Sequence, residues 1–177
     1  MTAAIAEGVW VVDLPLPHGG TVDATNCYLL ADDAGGVHLL DPGWDTPDNR
    51  ARLEAGLADA GFDLADVRSV TATHLHPDHL GLGSGLRTER GVPVALHRAE
   101  HEALRHPLYP GPDETVARWG VPTEHIAEIH DGLVPRSHPL GYGADVVLDD
   151  GDTLPIPGRR VRVVHTPGHT AGSICLH

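Results

Sequence analysis

Thr73-His74-Leu75-His76-Pro77-Asp78-His79-Leu80-Gly81 places three histidines and an aspartate within six residues, directly after the apolar, β-prone run Val67 to Thr71. Neutral imidazole and carboxylate are the donors that a borderline-soft divalent ion such as zinc prefers. His74 and His76 are two apart, so an extended stretch would point both the same way. A tight turn at Pro77-Asp78-His79 would then offer a carboxylate and a third imidazole to a neighbouring point. One short loop can thus serve two ions a few ångströms apart, as dinuclear hydrolytic sites require.

Two further segments extend the pattern. Val37-His38-Leu39-Leu40-Asp41-Pro42-Gly43 reads as a strand ending in an aspartate, and Val163-Val164-His165-Thr166-Pro167-Gly168-His169-Thr170 as a strand followed by another histidine. Together with the HxHxDH spacing of residues 74–79, and in this order, they resemble the metallo-β-lactamase superfamily, including its glyoxalase-II-like members. The resemblance spans residues 37–170. It implies an α/β fold, the αββα sandwich of two similar halves. It implies that His74, His76 and His169 bind one metal and that Asp78 and His79 bind a second, with Asp78 also a candidate proton acceptor. Asp41 and Thr170 are expected behind the ligands, fixing loops or orienting rings. Zinc is the default cofactor, as one or two ions, with iron or manganese as alternatives.

The segments around these motifs alternate strand and helix. Val9 to Leu14, Asn26 to Leu30 and Val37 to Leu40 are β-rich, with Gly35-Gly36 as a turn. Thr46 as N-cap, Pro47 at the first position and Gly61 as the stop predict a helix between them. Leu80 to Arg90 reads as a second helix despite three glycines, and Val92 to Leu96 as the next strand. This alternation predicts an α/β layer. Arg98 to His106 is helical in pattern. Proline- and glycine-rich sequence follows, with weaker helical pieces at 113–119 and 123–131, so residues about 98–140 are read as a helical insertion over the site mouth. Asp145 to Leu148, Thr153 to Ile156 and Arg160 to His165 are read as short strands.

One domain, residues 1–177, accounts for the length. The sandwich should continue past His177. Ser173 to His177 reads as a strand cut midway, no bridging aspartate or final histidine can be assigned, and a fragment of a longer enzyme is expected.

Bulk properties exclude some classes. The formal charge of −13, with only 12 basic residues, argues against a general nucleic-acid binder, which needs clustered Lys and Arg, and against docking on an anionic membrane. No run approaches ~20 apolar residues. The start Met1 to Glu7 lacks the features of a secretory signal, and Cys27 and Cys175 are read as unpaired buried thiols, so a cytoplasmic setting is expected. The chain has 14 histidines. Those outside the three motifs are read as surface or packing residues, including the i,i+4 pair His97 and His101, which lacks the rest of a zincin pattern.

The resulting expectation is a metal-dependent hydrolase directing water at an ester, thioester or lactone of a small-molecule substrate. The alternatives are a phosphodiesterase or RNA-processing nuclease, an iron-dependent oxidoreductase, and an inactive fragment or binding protein. Oligomeric state leaves no trace in the sequence.

Overall fold

A computed structural model describes residues 2–17, 22–105, 118, 120–125 and 143–177. Seven strands form one sheet in sequential order: β1 (Thr2–Ala6), β2 (Val9–Pro15), β3 (Ala24–Ala31), β4 (Val37–Leu40), β5 (Val67–Thr71), β6 (Val94–His97) and β7 (Val146–Leu148). The first four pair antiparallel, whereas β4 to β7 pair parallel. A second sheet holds β8 (Val163–His165) and β9 (Ile174–Leu176), paired antiparallel.

Three α-helices are described, α1 (Pro47–Asp59), α2 (Pro77–Arg90) and α3 (Arg98–Arg105), and a 3-10 turn spans Thr123–His125. Thr46 caps α1 as its sequence predicts, its side chain accepting from Asn49 N–H at 3.1 Å. The apolar faces of α1 and α2 cover one side of the large sheet. Leu53, Leu57, Leu80 and Leu82, at 0–1% exposure, close on Val12, Leu29, Leu39 and Val70. Each such leucine contributes about 1.5–3 kcal/mol by leaving water. The opposite side packs on the small sheet through Leu30, Ala95, Leu148, Val163 and Ile174. The described chain is thus a helix–sheet–sheet stack.

Four readings change. Pro77, Asp78 and His79 form the first turn of α2 and not a separate tight turn, because proline is well suited to the first helical position. The chain at 73–75 bends and is not extended. Thr153 to Ile156 contributes only an isolated bridge, Thr153 to Arg162, since Pro155 and Pro157 remove ladder donors. The strand expected from Arg160 begins only at Val163. β1 was not foreseen: its Ala-rich sequence is largely exposed and has no apolar alternation.

The glycines of α2 have a packing reason. A Cβ on Gly81 would lie 2.6 Å from Asp45 N and 2.8 Å from Gly43 O, so the helix rests directly on the loop after Asp41. Most of the expected insertion, at residues 106–117, 119 and 126–140, lies outside the described residues. Cys27 is buried and Cys175, contrary to expectation, exposed; neither forms a disulfide.

Candidate metal centre

The loops beyond the carboxyl ends of β4 and β5 meet the loop after β8. Ligand sites of open α/β sheets form at such strand ends. The His74 and His169 ring centroids are 4.8 Å apart, and those of His76 and His169 4.7 Å. One nitrogen from each of His74, His76 and His169 lies within 4.8 Å of the other two. A tetrahedral ion with ~2.0–2.1 Å bonds separates its ligand nitrogens by about 3.3 Å. His76 Nδ1 and His169 Nε2 lie 3.0 Å apart, so small side-chain adjustments bring the trio to that spacing.

The proton positions follow from the hydrogen bonds. Asp41 receives Thr73 N–H at Oδ1 (2.7 Å), and Thr73 Oγ1 donates to Asp41 Oδ2 (2.8 Å). That uses the only hydroxyl hydrogen of Thr73, so its oxygen accepts from His74 Nδ1 at 3.1 Å. His74 Nε2 therefore carries a lone pair, and it is buried with no hydrogen-bond partner. An orphaned acceptor beside two other imidazoles fits a divalent cation, because leaving it bare costs about 1–3 kcal/mol. Burial, followed by the neighbouring His79 and His76, pushes the His74 pKa down to about 4. Burial and then His169 also lower that of His76. Both rings are thus neutral at physiological pH, the form that binds metal.

Asp41 also receives His79 Nδ1–H at 2.9 Å, which leaves the lone pair of the neutral ring on His79 Nε2, 3.5 Å from Asp78 Oδ2. Burial alone would lower the His79 pKa. The hydrogen bond and charge of Asp41, with the charge of Asp78, outweigh it and hold the value above the ordinary one. Asp41 adopts φ 51°, the only positive φ among described non-glycine residues, a conformation aspartate tolerates better than most side chains. This places its carboxylate over the start of the next loop.

Asp78 and His79 line a cleft of about 550 Å³ whose apolar wall includes Leu16, Val22, Ala24 and Tyr28. Thr170 contacts Ser173, its Oγ1 2.8 Å from Ser173 Oγ, and so closes the turn beyond His169. His97 stacks on His165 at 4.0 Å, and His101 Nδ1 accepts from Ala144 N–H. His177 pairs with Arg162 through its backbone.

Two contributors escaped the sequence reading. The Thr73 hydroxyl sets the His74 tautomer, and its place directly before the first histidine was the available signal. Glu100, 1% exposed, accepts from Leu75 N–H at 2.8 Å and Gly172 N–H at 2.6 Å. No local pattern distinguishes it from a solvated helix charge. One described part of the segment expected to cover the mouth, α3, thus bonds through Glu100 to both histidine-bearing loops.

A bovine protein named acyl-coenzyme A thioesterase MBLAC2 is 37% identical over 122 residues, 67% of this chain and 40% of that protein. A probable metallo-hydrolase of Burkholderia pseudomallei is 29% identical over 166 residues, 85% of this chain and 48% of that protein. The chain thus spans less than half the length of these two curated relatives. The crystal structure of the metallo-beta-lactamase family protein TTHA1429 from Thermus thermophilus superposes with a TM-score of 0.75 at 32% identity, covering 98% of this chain and 56% of that one. Residues 20–177 match the family described as the metallo-beta-lactamase superfamily, and the chain belongs to that superfamily.

Proposed function

We propose that this chain carries the metal-binding part of a zinc-dependent hydrolase acting on a thioester, with esters and lactones as the neighbouring substrate class. The observation that carries this is the buried, partnerless Nε2 of His74 set beside His76 and His169. A divalent ion held by these three rings would acidify a bound water and polarise the scissile carbonyl. In the neutral rings, Asp41 and Thr73 hold the hydrogen on Nδ1 of His79 and His74, so that Nε2 is the nitrogen that would ligate. Asp78 and His79 would hold a second ion, and the Asp78 carboxylate would receive the proton released as water attacks. The cleft beside them is within the size range of small-molecule sites, and its apolar wall suits an acyl chain. The bovine thioesterase relative supports a thioester over a simple ester. The net charge of −13 disfavours a nucleic-acid substrate.

The test is a hydrolysis panel with the zinc-loaded chain: an acyl-coenzyme A thioester, an aryl ester, a lactone and a phosphodiester. Thioester cleavage should dominate, vanish with chelator and return with zinc. Cleavage of the phosphodiester alone, or hydrolysis indifferent to chelation, would overturn the reading.

A further inference from the structure

The His74/His76 loop and the His169 loop come from distant parts of the sequence, and little backbone joins them. Ile174 N–H donates to Thr73 O at 3.0 Å. A further tie, besides the contact of His76 with His169, passes through Glu100, in the first turn of α3. One carboxylate oxygen receives the N–H of Leu75, which lies between His74 and His76. The other receives the N–H of Gly172, three residues beyond His169. The side chain is 1% exposed, so no water competes for these bonds. Gly172 makes the approach feasible: a Cβ there would lie 2.6 Å from Glu100 Cγ and 2.7 Å from its Oε1.

We infer that Glu100 is a positioning residue that sets the separation of the two loops and thereby the convergence of His74, His76 and His169. This rests on reading the three histidines as a metal site. Carboxylate is the matched group because two N–H donors approach it from different loops, and charge-assisted bonds are the stronger kind. Glutamine has the same shape but only one acceptor oxygen, and its amide hydrogens would face the second N–H. Glu100 is expected to touch neither metal nor substrate.

The experiment compares the 177-residue chain with Glu100→Gln, with Gly172→Ala, whose new methyl would meet the Glu100 side chain and, at 2.8 Å, its backbone nitrogen, and with Leu57→Val, a remote core change that lowers stability without touching the loops. Zinc affinity is read by competition with a chromophoric chelator and coordination by the visible spectrum of the cobalt form. Glu100→Gln and Gly172→Ala should weaken zinc binding about 10–100-fold, as loss of groups supporting ligands does, and alter the cobalt bands. Leu57→Val should do neither. In the metal-free chain, nuclear Overhauser contacts between the His76 and His169 rings should be present in the parent and lost in Glu100→Gln. If the parent binds no metal, the proposed function fails and these ring contacts alone decide the role of Glu100. Parent-like zinc affinity and cobalt bands, or parent-like ring contacts, in both Glu100→Gln and Gly172→Ala would overturn the inference. Should Glu100→Gln not fold, Gly172→Ala carries the test.

Discussion

Asp41→Asn isolates proton placement from shape. Asparagine matches aspartate in size and tolerates the positive φ of this position, so the backbone at 51° need not change. Asp41 accepts three hydrogen bonds, from Thr73 N–H (2.7 Å), Thr73 O–H (2.8 Å) and His79 Nδ1–H (2.9 Å). Asparagine keeps the first and turns an NH2 toward the other two. His79 must then accept at Nδ1, which moves its proton to Nε2. The Thr73 hydroxyl must accept from the amide and donate to His74 Nδ1, which moves the His74 proton to Nε2 as well. Three charge-assisted bonds become neutral ones, at about 1 kcal/mol each. The metal-free chain should lose about 3 kcal/mol, or roughly 6–12 °C in Tm for a chain of this size. Zinc binding should suffer more, because two ligand nitrogens now carry hydrogens. Loss of one supporting partner costs about 10–100-fold, so the fall should reach at least about 100-fold. Chelator competition measures the affinity, and 15N chemical shifts of the imidazoles report the tautomers. If His74 and His79 in the variant keep their hydrogens on Nδ1, or if zinc binds as in the parent, the proton relay derived from these distances is wrong.

Two further outcomes follow from the same site. The 177-residue chain, with three imidazoles at one point and only Asp78 and His79 for a second ion, should hold about one zinc per chain by native mass spectrometry; two firmly held ions would require ligands from outside these residues. The metal-free chain should lose stability as pH falls from about 6.5 toward 4, because the unfolded chain binds a proton that buried His74 refuses until its pKa of about 4. For His74 alone this amounts to about 2 kcal/mol between pH 7 and pH 5. His79 has the opposite sign: its raised pKa adds stability at low pH that is lost as pH rises through the folded value, above about 6.5. Denaturant titrations across the range would show both, and a flat profile below pH 6.5 would refute the burial argument.

How much the sequence revealed depended on how local each feature is. His74, His76, Asp78 and His79 stand out because ligand spacing within one loop is written in consecutive residues. His169 and Asp41 were recognisable because each follows a short apolar strand run in an order that resembles the superfamily's. The capped α1 was legible for the same reason: Thr46, Pro47 and Gly61 each act within a turn of the helix end. Glu100 was not, since its role exists only after α3 docks and brings its carboxylate to Leu75 and Gly172. β1 escaped because its pairing with β2, and no pattern of its own, makes it a strand.

The separation of His76 from His169 is 93 residues. An ion bridging them would be a staple as well as a reagent. It would close a long loop whose ends the unfolded chain must search for, and closure of that kind withdraws conformational freedom from the unfolded ensemble. Within these 177 residues the β8–β9 pair would feel this most, since two-stranded ribbons are only marginally stable by themselves. Metal supply would then govern the mechanical integrity of that corner together with its chemistry, and a metal-starved molecule would come apart first at the edge that carries His169.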